Sequence, residues 1–218
     1  MKKVCLLFCP VALASSLPAQ TLVLVETNLG GIPIRLFDTE APQTVANFLG
    51  YVTRGDYDNV IFHRLVDGFV LQTGGFIATD PPEVNLVEAI TTQPPVQNEP
   101  GISNTRGTIA MAKLGGDPDS ATSQWFVNLA DNSANLDAQN GGFTVFGEVL
   151  DLTTVDAIAS RPVVNAGGAF TTLPLIDDVD PIEREDLIRI TGVSIVPEPS
   201  SAGLCAMMIG FGLLRRRR

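Results

Sequence analysis

Five Gly-Gly pairs, beginning at Gly30, Gly74, Gly115, Gly141 and Gly167, cut the chain into short runs and limit what it can become. Glycine reaches positive φ without steric cost, so paired glycines mark turns. Thr21–Thr27 is rich in Leu and Val, and Ile32–Phe37 alternates apolar residues. Asn28-Leu29-Gly30-Gly31 between them predicts a hairpin turn with positive-φ positions. Punctuation of this kind suits an all-β sandwich or barrel better than a βαβ protein. Two segments have helical period instead. Asp38 or Thr39 is placed to N-cap a helix with Pro42 in its first turn and Val45, Phe48, Leu49 and Val52 on its buried face. A weaker helix is expected from Asp151 to about Ser160, burying Leu152, Val155 and Ile158. The apolar run Asp186–Val196 reads as a closing strand.

Composition matters mainly through its unevenness. The 218 residues carry a net charge of −10, but six of the 14 Lys and Arg are terminal: Lys2, Lys3 and Arg215–Arg218. Only Glu198 of the 24 acidic residues lies outside 21–196, so that segment holds eight basic against 23 acidic residues, a net charge of −15. Such a body is a poor match for nucleic acid, whose phosphates need clustered cations. The three cysteines are Cys5, Cys9 and Cys205, which leaves 21–196 without a possible disulfide; packing must hold it together.

The ends read as addresses. Met1-Lys2-Lys3 followed by the apolar Val4–Ala14 has the pattern of a signal peptide, with small residues at Ala12, Ala14 and Ala19 as cleavage positions, so residues 1–20 are expected to be a leader. At the other end Val196-Pro197-Glu198-Pro199 precedes small residues, Leu204–Leu214 and four arginines. The 13 apolar or small residues from Ala202 to Leu214 fall short of the roughly 20 a full membrane span needs. This arrangement resembles the PEP-CTERM sorting signal, which implies processing by an exosortase-like enzyme after signal peptidase has acted at the front. It implies export in a Gram-negative bacterium, to the periplasm or cell surface, with membrane association before C-terminal processing. Residues 21–196, a comfortable single domain, are the expected folded body, and 197–218 the sorting segment.

Many chemistries are absent from the body's sequence. It has one histidine, His63, no cysteine, no phosphate-cradling Gly-rich loop ending in Lys-Ser/Thr, no dinucleotide fingerprint and no Gly-x-Ser-x-Gly elbow. Asp177, Asp178, Asp180, Glu183, Glu185 and Asp186 cluster without the spacing of a Ca²⁺ loop and read as a solvated segment. No metal and no cofactor is therefore expected. What remains is apolar, aromatic and amide residues around one arginine. In Phe62–Gln72, period 2 places Phe62, Arg64 and Val66 on one face, and Gly68 permits a kink that brings Phe69 and Gln72 to the same site. His63 points the other way and reads as structural.

The run Phe62–Gly75 resembles the signature of the cyclophilins, the peptidyl-prolyl cis–trans isomerases. The likeness continues through Val60-Ile61, Val96-Gln97-Asn98-Glu99, Asn104–Ala112, Ser120–Asn128, Leu136-Asp137 and Phe143–Gly147, in order. It implies a closed eight-stranded antiparallel barrel capped by two α-helices, and isomerisation of X-Pro bonds in exported proteins, assisting their folding. By position it implies Arg64 and Gln72 as catalytic residues. Phe69, Phe126 and Leu136 would line the proline pocket, Gln124 would bind the substrate backbone, Ala112 would belong to the adjoining groove, and Met111 would supply a wall. Phe143 stands where many members have His or Tyr. Other departures are Thr73 between Gln72 and the Gly-Gly pair, Trp125 beside Phe126 but facing away from it, Asp67 where proline is common, and Lys113-Leu114-Gly115-Gly116 in the groove. Partners implied are proline-containing polypeptides, met by a monomer. The alternatives are a catalytically weak module of the same fold that binds proline-containing peptides, and a cell-surface or exopolysaccharide-associated protein.

Overall fold

A computed structural model describes residues 20–79 and 86–197; apart from Gln20 and Pro197, the leader and sorting segments expected from the sequence lie outside the described residues. In chain order the elements begin with β1 (Leu22–Thr27), β2 (Gly30–Leu36), α1 (Pro42–Arg54), β3 (Arg64–Val66), β4 (Val70–Thr73), β5 (Phe76–Ala78) and β6 (Val87–Ala89). They continue with β7 (Thr108–Met111), β8 (Trp125–Asn128), α2 (Ser133–Leu136), β9 (Val145–Val149), α3 (Thr153–Ala159), β10 (Val163–Val164), β11 (Leu173–Pro174) and β12 (Ile190–Val196). Eight strands form one sheet in the order β12-β1-β2-β9-β7-β8-β4-β3, with every ladder antiparallel. Two small hairpins, β5–β6 and β10–β11, stand beside it.

The first Gly-Gly pair acts as the sequence predicts. Thr27 pairs with Gly30 across a two-residue loop, and Gly30 sits at φ +136°. β1 then alternates buried Val23, Val25 and Thr27 with more exposed neighbours, the pattern of a sheet wet on one face. The concave face of the sheet holds the main core, which includes Ile32, Ile34, Leu71, Ile109, Trp125 and Val127. Helix α1 contributes Val45, Phe48, Tyr51 and Val52 to that core, and α3 contributes Val155 and Ile158. Phe48 packs edge-on to Trp125, their ring centroids 5.9 Å apart.

The curled sheet stays open, where a closed barrel was expected. Its edge strands β3 and β12 share no ladder; the gap is spanned by the isolated bridge Ile61–Arg189 and by backbone bonds from Phe62 N–H to the Ile188 carbonyl, from Ile190 N–H to the Val60 carbonyl and from Asn59 N–H to the Ile190 carbonyl, all just ahead of β3. The reason is local. The outer side of β3 is taken by another segment, since the Leu65 N–H donates to the Thr172 carbonyl. The strand expected over Asp186–Val196 begins only at Ile190: Asp186 ends a 3₁₀ turn, and Leu187 and Arg189 make only isolated bridges, to Leu175 and Ile61.

The helices also differ in detail. Ala41, not Asp38 or Thr39, precedes the first turn of α1, and it has no side chain to cap with. The Asp38 carboxylate instead accepts the Thr21 N–H and hydroxyl, each at 2.8 Å. Glu99 takes over the capping from a distant loop, accepting the N–H of Gln43 at 3.2 Å and of Thr44 at 2.9 Å. At the far end Gly55, at φ +73°, stops α1 with its N–H on the Val52 carbonyl while Asp56 reaches back to Tyr51. Helix α3 is shorter than Asp151–Ser160, and Asp151 stands before it, accepting from Thr153.

Candidate active site

Antiparallel register lines up a row of side chains across the open half of the sheet. Arg64 on β3 lies opposite Gln72 on β4, Gln72 opposite Phe126 on β8, Phe126 opposite Ala110 on β7, and Ala110 opposite Val145 on β9. Directly opposed residues bring their Cβ atoms to about 5 Å on the same face. Alternation sends Leu65, Leu71, Trp125, Val127 and Ile109 to the main core, so the row stands on the other face. There Val70, Ala110, Phe126, Leu136 and Val145 form a second buried cluster, with Phe69, Ala112 and Phe143 packed around it.

This cluster floors a pocket of about 270 Å³ lined by Arg64, Phe69, Val70, Gln72, Ala112, Lys113, Phe126, Leu136, Gln139 and Phe143. The Phe126 and Phe143 rings meet edge to face, centroids 5.8 Å apart, making an apolar slot. A polar rim runs along one side: Arg64 Nη1 donates to Gln72 Oε1 at 3.2 Å, and Gln72 Nε2 donates to Gln124 Oε1 at 2.8 Å. A neighbouring groove of about 220 Å³ shares Gln72, Ala112 and Lys113 and adds Leu114, Ser120, Thr122 and Gln124. The second Gly-Gly pair makes room for this rim. A Cβ on Gly74 would stand 2.3 Å from the Ser123 carbonyl oxygen, and one on Gly75 would stand 2.8 Å from Gln124 Nε2.

Beneath the slot lies a ladder of amides. Asn132 Nδ2 donates to the Phe69 carbonyl at 2.8 Å and also to Asn128 Oδ1 at 2.7 Å. Asn128 Nδ2 reaches Asn104 Oδ1 and the Thr108 hydroxyl, and Asn104 donates to Asp137. Burial alone would raise the Asp137 carboxyl; the hydrogen bonds from Asn104 and Ser103 outweigh it and hold the group below the usual carboxylate range. The ladder fixes Phe69 and the short helix α2, which delivers Leu136.

Of the residues named from the sequence, Arg64, Phe69, Gln72, Ala112, Phe126, Leu136 and Phe143 come together around the pocket, and Gln124 lines the adjoining groove. Met111 does not. It is 1% exposed and belongs to the main core, one residue out of phase with Ala110 and Ala112. Phe62 likewise sits in the main core and not beside Arg64, because regular alternation begins only at β3. Thr73 makes no bulge: it pairs with Trp125, and its hydroxyl donates to the Ile61 carbonyl at 2.9 Å. His63 is buried against Phe76, ring centroids 5.0 Å apart. Gln139 lines the pocket without having been singled out; an isolated amide in a polar loop carries no pattern to mark it.

An open apolar slot with a guanidinium and two amides on its rim, and no nucleophile beside a base, is suited to holding a neutral ring next to a polar amide. Comparison with known proteins gives this arrangement a class. The family model of cyclophilin-type peptidyl-prolyl cis–trans isomerases matches residues 22–181, and the chain belongs to that family. A peptidyl-prolyl cis–trans isomerase of Acinetobacter baylyi is 40% identical over 171 residues, covering 77% of this chain and 87% of the relative. Peptidyl-prolyl cis–trans isomerase B of Escherichia coli is 43% identical over 144 residues, covering 63% and 83%. Among solved structures, a cyclophilin-type isomerase of Cryptosporidium parvum superposes with a TM-score of 0.61 at 25% identity, covering 83% of this chain and all of that one. The activity of the chain is peptidyl-prolyl cis–trans isomerisation.

Proposed function

We propose that the chain isomerises X-Pro bonds of exported proteins, with the proline ring in the Phe69–Phe126–Leu136–Phe143 slot and Arg64 acting on the prolyl nitrogen. The observation that carries this reading is the cross-strand row, which sets Arg64 and Gln72 at the rim of an apolar pocket floored by Phe126. Resonance holds an X-Pro amide planar behind a barrier of roughly 18–20 kcal/mol, so uncatalysed exchange takes tens to hundreds of seconds. No bond breaks, and the enzyme needs only to bind the twisted amide better than either planar isomer. As the amide twists, conjugation is lost and the nitrogen lone pair becomes an acceptor. A hydrogen bond from Arg64 to that nitrogen strengthens only then. Gln72, already holding the guanidinium, orients it, and Gln124 fixes the substrate backbone in the groove. Removing one preorganised charge-assisted donor costs about 10²–10³-fold in rate. Arg64→Ala should lower kcat/KM by about that factor in an NMR exchange assay, with an unchanged circular dichroism spectrum; near-full activity would sink the assignment.

The leader-like and sorting-like patterns at the two ends support an activity outside the cytoplasm. Signal peptidase would remove residues 1–20, and an exosortase-like enzyme would process 197–218, releasing a periplasmic or surface monomer. Cell fractionation with mass measurement of the mature chain tests this; a full-length cytoplasmic product would refute it.

A further inference from the structure

Lys113 stands on the ridge between the pocket and the groove, lining both. Its Nζ does not face the groove as a free cation. It donates to the carbonyl oxygens of Asn140 at 2.9 Å and Gly142 at 2.5 Å, and lies 4.9 Å from the centroid of the Phe143 ring. The loop it grips is an unfavourable one. Asn140, Gly141 and Gly142 have successive positive φ values of 52°, 77° and 77°, and Asn140 has a Cβ to accommodate. Asn98 Nδ2 holds the same loop from another side, bonding the Gly141 and Gly142 carbonyls. Asn140 Nδ2 returns a bond to the Leu114 carbonyl, so the 113–114 and 140–142 segments are tied in both directions. What this loop carries next is Phe143, the outer wall of the slot.

We propose that Lys113 is a positioning residue for proline binding, clamping the 140–142 turn and the face of Phe143 so that the ring closes edge-on against Phe126. The inference rests on the reading that this slot takes the proline ring. It assigns to Lys113 no contact with the reacting amide. The ammonium is engaged inside the protein by two carbonyls and one aromatic face. A partly desolvated ammonium over a ring is also more strongly held than one in water. Its chemistry therefore sets the shape of the slot and not the charge of the residues the substrate brings to the groove.

The test is steady-state and exchange kinetics of the full chain on peptides Ala-Xaa-Pro-Phe, with Xaa as Glu, Ala or Lys. Lys113→Met keeps the stem and removes the donors and charge; Lys113→Arg keeps both. Lys113→Met should lower kcat/KM by about 3–10-fold, mainly through KM and equally for the three peptides, with Lys113→Arg within about twofold of wild type. Phe143→Ala should give a loss of similar kind, and adding Lys113→Met to it should cost less than about twofold more, since the clamp then has no wall to hold. Independent, multiplying losses would overturn the proposal, as would an effect confined to Xaa as Glu, which would make Lys113 a direct reader of substrate charge. Wild-type kinetics in Lys113→Met would overturn it too. Lys113→Gln serves if the Met variant does not fold. Full activity in Arg64→Ala would instead strike at the slot reading itself, so the two failures are told apart.

Discussion

His63 neighbours Arg64 in sequence, yet the two face different surroundings, and the difference sets a pH dependence. Burial lowers the imidazole pKa to about 4; bonding with the Ile61 backbone and Gln124 opposes the shift, and the Arg64 charge adds to it. The native state therefore keeps His63 neutral where the unfolded chain, with a value near 6.5, binds a proton. Between those values the unfolded state holds more protons, so stability rises with pH and is lost as pH falls from about 6.5 to about 4. The full loss from this group is about 3 kcal/mol. Urea midpoints of wild type and His63→Gln across that range should show the slope in wild type and a smaller one in the variant, and parallel curves would refute it. Because this is the chain's one histidine, the titration is also readable by NMR without overlap. The paired glycines give a second residue-scale test. Gly74 combines φ +87° with a carbonyl oxygen 2.3 Å from any Cβ, so Gly74→Ala should destabilise by about 2–4 kcal/mol. At Gly75 the obstacle is the Gln124 side chain and not backbone, and it can turn aside only by giving up its bond from Gln72; Gly75→Ala should cost less stability than Gly74→Ala and lower kcat/KM. Alternation in the sequence sorted Trp125 from Phe126 correctly, since both sit in one regular strand. It did not place Phe62, which precedes the first residue of β3. The wall role that the resemblance implied for Met111 fails on that same alternation, which sends Met111 to the core and Ala112 to the pocket.

At the scale of elements, α1 shows which information is local. Its apolar period and its Pro42 start are properties of a dozen consecutive residues, and both are readable there. Its cap is not, because the carboxylate comes from Glu99, more than 50 positions away, and bonds the Gln43 and Thr44 N–H groups and the Thr44 hydroxyl. Free N–H groups at a helix start favour an anionic acceptor, through hydrogen bonding and the helix dipole together. Glu99→Ala should therefore cost about 1–2 kcal/mol in thermal or urea unfolding, and Glu99→Gln less, because the amide oxygen still accepts. An unchanged midpoint in Glu99→Ala would show that α1 is held by its buried face alone. Helix α2 escaped sequence reading for a related reason. One turn over Ser133–Leu136 has too few residues to show a period, and it persists because the amide ladder holds Asn132 and Asp137 at its two ends. The open edge of the sheet belongs here as well. Resemblance gave eight antiparallel strands, but the last pair shares no ladder: the Leu65 N–H goes to Thr172, and Ile190 bonds Val60 and Asn59 ahead of β3, contacts no local pattern announces.

Across the whole molecule, the two ends of the folded body are each other's partners. Leu22 pairs with Val196 and Val25 with Val193 along a full antiparallel ladder, so β1 lies between β2 and β12 in the sheet. The sequence separation is the greatest the body allows, and the last strand to leave the ribosome completes a sheet begun by the first. Val193 packs against the main core from β12, and Ile190 is buried within it. Removing β12 would therefore strip hydrogen bonds from β1 and uncover core at the same time. A chain ending at Val196 keeps every one of these contacts, whereas one ending at Arg189 keeps none of the ladder. The first should unfold in a single transition at the midpoint of the full chain and retain its isomerase activity. The second should be unfolded or strongly destabilised, and aggregation-prone through the bare edge of β1. The decisive measurement is urea unfolding of both chains followed by fluorescence of Trp125, which is buried against Phe48 far from the cut. Equal midpoints would mean that β12 is an appendage to the core.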